Sequence, residues 1–210
     1  MAYDLEEQEQ LAQLKAWWNK YGTITLGLLS LALAIVLGWQ GWNWYESNQS
    51  SQARGYYEAL ERAAAEPGQD SAPRIEAAMQ TLQSEFATTD YAARAALVAS
   101  DALRSSDQLA AAERPLRWLS DSNHTALAPV AKLRLAGLLL DQEKYDEALA
   151  VLDTPPASFQ ALYADRRGDI LVAQGKREEA VAAWRQALEA LPRADTLANV
   201  VQLKIDTLGS

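Results

Sequence analysis

The strongest constraint on this chain is the run from residue 21 to residue 45, YGTITLGLLSLALAIVLGWQGWNWY, whose 25 residues include no Asp, Glu, Lys or Arg. A helix advances about 1.5 Å per residue, so about 20 such residues cross a hydrocarbon layer about 30 Å thick. Trp17, Trp18 and Tyr21 mark one end of the run, and Trp39, Trp42, Trp44 and Tyr45 mark the other. Amphipathic rings of this kind settle at the headgroup layers of a bilayer. The run predicts a transmembrane helix. A buried core helix is one alternative, but core helices seldom extend this far without a charge. A cleaved signal peptide is the other, and it needs a basic start and a small-residue cleavage site. Here the start carries Asp4, Glu6, Glu7 and Glu9, and the exit reads GWQGWNWYE. A retained anchor is therefore expected. Lys15 and Lys20 precede it and Arg54 follows it, a two-to-one bias that favours a cytoplasmic N-terminus.

The anchor divides the chain into a short tail, residues 1–20, the span itself, 21–45, and a domain of residues 46–210, long enough for one sizeable core. In the tail, Leu5, Leu11, Leu14 and Trp18 fall near one helical face. The tail either continues the helix along the membrane surface or frays. Within the anchor, Ser30, Ala34 and Gly38 recur every four residues. That spacing lets a second helix approach closely, although such stripes also arise by chance in apolar helices.

Beyond Ser47 the chain is rich in Ala, Leu, Gln, Glu and Arg, and apolar residues recur at helical spacing: Tyr56, Tyr57, Leu60, Ala64, then Ile75, Met79, Leu82, Phe86. Turn and cap residues interrupt this period at Glu66-Pro67-Gly68, Thr88-Thr89-Asp90, Ser105-Ser106-Asp107, Ser120 to Asn123, Asp141 to Lys144, Thr154-Pro155-Pro156, Gln174-Gly175-Lys176 and Pro192. About nine helices of roughly 10 to 17 residues are expected from these breaks. Their spacing is more informative. Ala136-Gly137-Leu138-Leu139-Leu140 followed by Tyr145 to Leu149 is matched 32 residues later by Gly168 to Leu171 followed by Lys176 to Val181. Trp184, Ala187 and Pro192 complete the second copy. Small residue, turn Gly, Ala, aromatic, Ala and Pro in that order are the pattern of a tetratricopeptide repeat, a helical hairpin of about 34 residues. A weaker copy spans Tyr91 to Leu119, with Ser100 and Ala112 at the small positions, Leu116 in the aromatic slot, and Pro115 falling early in the second helix and disturbing the pattern slightly. Residues 56–86 read as a further degenerate hairpin and 194–208 as a closing helix. The expected fold is all-α: one transmembrane helix followed by a tetratricopeptide-like α-solenoid.

Composition excludes several functions. A net charge of -9 is unsuited to nucleic-acid binding. There is no Cys, and His124, in the polar run Ser120 to His124, is the one histidine. Most zinc sites and nucleophile–histidine arrangements are thereby removed, and no glycine-rich phosphate loop is present. Asp146-Glu147 and Glu178-Glu179 open predicted helices, where carboxylates offset exposed amides. No catalytic, metal-binding or cofactor-binding residue is expected. The repeat register instead points Leu97 and Asp101, Leu133 and Gly137, and Asp165 and Asp169 into a concave groove. Repeats that clamp an acidic peptide C-terminus need Lys and Asn at these places, and none is here. The groove is apolar at one end and acidic at the other, suited to an extended apolar or basic polypeptide segment. The alternative is that these residues only pack or solvate the solenoid.

The acidic start, Lys15-Ala16-Trp17-Trp18, the anchor ending Gly38-Trp39, Trp42-Asn43-Trp44, Ser50 to Tyr57, Ala111 to Trp118 and Leu133 to Ala136 together resemble the YfgM family, the ancillary subunit of the bacterial Sec translocon. The resemblance spans essentially the whole chain and rests on the order of its parts. It implies a bacterial inner-membrane protein with a cytoplasmic N-terminus and periplasmic repeats. It also implies association with the SecYEG channel and with a membrane-anchored periplasmic chaperone of the prolyl-isomerase-like type. The implied role is a non-enzymatic chaperone or adaptor for newly translocated, unfolded envelope proteins, without a cofactor. A structural scaffold for another envelope complex, and a regulator acting through the cytoplasmic tail, are the alternative readings.

Overall fold

The computed structural model describes residues 3–66, 68, 70–192 and 195–208, with side chains from residue 8 onward. The described residues are helical and contain no strand. The chain divides into two units, Met1–Gln49 and Ser50–Ser210. Helix α1, Tyr3–Ala65, begins in the first and ends in the second.

In the first unit the described part of the tail, from Tyr3, is helical rather than frayed. Leu11, Leu14 and Trp18 are exposed; the side chain of Leu5 lies outside the described residues. Through the anchor, Ile24, Leu28, Leu29, Ile35 and Leu37 all stand open. Only 6% of the most apolar window is buried, which rules out the core-helix alternative. So much bare apolar surface is unfavourable in water, and a bilayer removes it. Trp17 lies 6.3 Å from Trp18 and 6.0 Å from Tyr21, and Trp42 lies 6.4 Å from Tyr45. These rings form a cluster at either end of the span.

The second unit is a series of antiparallel hairpins. The end of α1, with Ala53, Leu60 and Ala63 buried, packs into the same core as α2, Ser71–Glu85. Aromatic contacts of 5.6 Å, Tyr56 to Phe86 and Tyr57 to Tyr91, fasten it. There follow α3, Asp90–Ser105, with α4, Leu109–Ser120; α5, Ala128–Asp141, with α6, Tyr145–Val151; and α7, Gln160–Ala173, with α8, Arg177–Ala190. Helix α9, Thr196–Leu208, packs on α8. Of the expected break at residues 66–68, Pro67 lies outside the described residues, as does Ala194 at the start of the expected closing helix.

The three inner hairpins turn in one way. Asp107, Glu143 and Gly175 adopt left-handed φ values of 59°, 61° and 78°. The next amide then reaches back across each turn, from Gln108 to Leu103, Lys144 to Leu139 and Lys176 to Leu171, each at 2.9 Å. These bonds satisfy carbonyls that a helix end leaves unpaired. The small and aromatic positions of the repeat also coincide in space: Ser100, Ala136 and Gly168 are buried, as are Ala112, Ala148 and Ala180, and Leu116, Leu152 and Trp184. Two details depart from expectation. Helix α6 has only 7 residues, because Pro155 disfavours helix at Thr154 and Pro155 and Pro156 cannot donate. Pro115 sits buried inside α4 rather than near its start, and the helix continues through it.

Candidate interaction surface

The first helices of the hairpins, α3, α5 and α7, carry all six groove residues named from the sequence. Leu97 and Leu133 are half-buried and pack on the core. The charged positions are joined from helix to helix. Asp101 of α3 accepts a 2.5 Å bond from Arg134 of α5, and Asp141 of α5 accepts one of 2.5 Å from Arg104 of α3. At the next joint, the guanidinium of Arg166 lies 3.6 Å from where a Cβ on Gly137 would stand. At the last joint, Lys204 of α9 donates to both Asp165 and Asp169, each at 2.7 Å.

These contacts form a ladder. Asp101, Gly137 and Asp169 hold one repeat position, and each is met by a cation from the helix two further along the chain: Arg134 of α5, Arg166 of α7 and Lys204 of α9. Helix α9 thus occupies the place of a further first helix. In that register the position of Ser100, Ala136 and Gly168 falls on Asp206, an exposed carboxylate bonded to Gln202 at 2.8 Å. A charged side chain there resists the close helix crossing that the small residues permit.

The structure does not gather the six residues into one pocket. It brings Asp165 and Asp169 together around Lys204, joins Asp101 to Arg134, the residue after Leu133, and sets Gly137 beside Arg166. The four cations were not among the residues singled out from the sequence. For Arg104, Arg134 and Lys204 the signal was separation: their bonded acids lie 33, 35, 37 and 39 residues away, close to one repeat.

Around Lys204 the electrostatics are asymmetric. Burial pushes the Asp165 carboxyl up and neighbouring Asp169 adds to this, with the Lys204 ammonium opposing only in part. Burial lowers Lys204, but the two carboxylates outweigh it and hold its ammonium charged. Arg166 stands at the same cluster, its Nη1 3.9 Å from Asp169 Oδ2, so two cations face the two acids. The Trp184 ring closes the third side, with Lys204 Nζ 5.7 Å from its centroid at a distance that favours a cation over an indole face. Trp184 is itself fixed by its Nε1–H, which donates to the Asp165 carbonyl at 3.2 Å.

His124 does structural work. Its Nε2–H donates to the Ala87 carbonyl at 2.8 Å, tying the loop before α5 to the turn before α3. In the anchor, Ser30, Ala34 and Gly38 are exposed, and a Cβ on Gly38 would meet nothing within 4 Å.

A family of tetratricopeptide repeat-like domains matches residues 15–210, a stretch that includes the anchor as well as the hairpins. The chain is 35% identical to a Neisseria gonorrhoeae protein named ancillary SecYEG translocon subunit, covering 99% of this chain and all of that one. A Haemophilus influenzae protein of the same name is 30% identical over 89% of this chain and 91% of its own length. One from Escherichia coli is 27% identical over 96% of each.

Proposed function

This chain belongs to the tetratricopeptide-like family of ancillary SecYEG translocon subunits, and we propose that within it the chain serves as a membrane-anchored, non-enzymatic chaperone or adaptor for newly translocated envelope proteins. The observation that carries this is coverage: the likeness to the gonococcal relative takes in tail, anchor and every hairpin, so the parts occur in one order in both. In this reading residues 1–20 are cytoplasmic, 21–45 cross the inner membrane and 46–210 lie in the periplasm. Anchoring raises the local concentration of the repeats beside emerging chains. The groove positions Leu97, Asp101, Leu133, Gly137, Asp165 and Asp169 form the receiving surface. Ser30, Ala34 and Gly38 offer the face for a helix of the translocon or of a membrane-anchored prolyl-isomerase-like chaperone.

Photocrosslinkers at Asp101 and Leu133, in membranes carrying a stalled secretory chain, test this. Adducts with the stalled chain and with translocon subunits are expected. Adducts confined to cytoplasmic proteins reverse the topology and overturn the proposal. The pairing of concave acids with the chain's own cations favours one competing reading, a scaffold for a folded partner; adducts with a single folded envelope protein and none with the stalled chain establish it instead.

A further inference from the structure

Helix α9 is held differently from α7 and α8, the two helices before it. It buries one residue, Val201, whereas α7 and α8 each bury four. Its seam, formed with Trp184, Ala187 and Leu188, is a cluster separate from the main core. Val200 and Leu203 are 46% and 67% exposed. Against this slight apolar hold stands one strong polar contact, Lys204 in its cage of two carboxylates and an indole. The frame of the cage is independent of α9: both acids stand on α7, and Trp184 is bonded to the α7 backbone.

We propose that Asp165, Asp169 and the Trp184 ring form a receptor for a lysine on the apolar face of an amphipathic helical segment. Helix α9 is the resident ligand of this site, released when an incoming segment displaces Lys204. The proposal rests on the reading that the concave face receives polypeptide, and it specifies the ligand. That chemistry is displayed by α9 itself, in which Leu197, Val201, Ile205 and Leu208 are spaced by three and four, and Lys204, three after Val201 and four before Leu208, falls on the same helical face. An ammonium suits the cage because it is a compact charge with three donors and can serve both carboxylates at once, which a planar guanidinium fork does less well. Arg166, 3.9 Å from Asp169, stays with the acids when Lys204 leaves, so the vacated place takes one ammonium. Such exchange lets an autonomous groove stay closed to water and open to basic amphipathic segments.

The test uses the full chain in detergent micelles and a fluorescent peptide of sequence TLANVVQLKIDTL, residues 196–208. Lys204→Gln, which keeps the apolar seam, should bind the peptide about ten-fold more tightly than the unaltered chain, since the resident ligand is weakened. A peptide whose lysine is replaced by glutamine should show no such gain. Asp165→Asn with Asp169→Asn, added to Lys204→Gln, should abolish it. Hydrogen exchange gives a second readout on the unaltered chain: α9 amides should exchange faster than those of α8 and faster still when the peptide is added. Equal peptide binding by both chains, or α9 amides as protected as those of α8 and indifferent to peptide, overturns the proposal and makes α9 a fixed cap. Groove crosslinks to a stalled chain alongside equal peptide binding defeat this inference alone. A gain on Lys204→Gln without such crosslinks upholds the receptor and defeats the proposed function.

Discussion

Gly168 shows how much one residue can settle. A Cβ there would lie 2.3 Å from Trp184 Nε1 and 2.4 Å from its Cδ1, far inside contact distance. The other two hairpins use other pairs in this register, Ala136 with Leu152 and Ser100 with Leu116. Each small residue is thus matched to the bulk that fills its slot. Gly168→Ala should destabilise the chain by about 1–3 kcal/mol through overpacking, even though alanine is the better helix former. In a Trp184→Leu background the same change should cost far less, because the smaller side chain leaves room. Urea denaturation of the four chains of this double-mutant cycle, followed by helical circular dichroism, measures the coupling. A cost unchanged by Trp184→Leu would place the strain elsewhere.

Among the elements, the hairpin turns carry the clearest expectation. An L side chain in the left-handed region costs about 1–2 kcal/mol, and glycine removes that cost, which α7–α8 exploits at Gly175 and α5–α6 does not at Glu143. Glu143→Gly should raise stability by about 0.5–1 kcal/mol, the glycine's larger unfolded-state entropy offsetting part of the gain. A higher urea midpoint with an unchanged slope is the result to look for; a lower midpoint would mean that the Glu143 side chain contributes more than its backbone strain costs. Helix α6 illustrates the opposite limit, since prolines after Thr154 shorten it and still leave Leu152 buried in its slot.

At the scale of the whole molecule, repeats hold one another only through their neighbours, so ion pairs between hairpins bear on cooperativity. Glu113 of α4 accepts from Arg117 at 2.5 Å and from Lys144, in the α5–α6 turn, at 3.2 Å, and Arg117 also bonds Glu147 of α6 at 2.7 Å. Burial raises the Glu113 carboxyl, but bonds from Arg117 and Lys144 outweigh it and leave it below its ordinary value of 4.5. A group with a depressed folded-state pKa adds stability above its unfolded value and loses it as the pH falls through the folded one. Glu113→Gln should therefore cost about 1 kcal/mol near neutrality, the partners being partly exposed. The difference from the unaltered chain should shrink as the pH drops below 4.5. Thermal midpoints of both chains across that range decide it, and a gap that stays constant with pH would assign the cost to packing.

The amino-acid sequence by itself determined the anchor, the helices with their turns, and the register in which Gly168, Ala180 and Trp184 recur. Those depend on local steric preference and on apolar periodicity, which a linear reading carries. It also pointed to Leu97, Asp101, Leu133, Gly137, Asp165 and Asp169 as residues of one face, since the register numbers each first helix alike. Only the tertiary structure decided what answers them. Arg134, Arg166 and Lys204 come from helices about a repeat away, and whether a cation reaches an acid there depends on helix spacing and side-chain direction, to within an ångström, at a range where sequence periodicity is silent. For the same reason the acidic end of the groove reads as open in the sequence and is closed in the fold: nothing local to residues 196–208 says that Lys204 falls between Asp165 and Asp169.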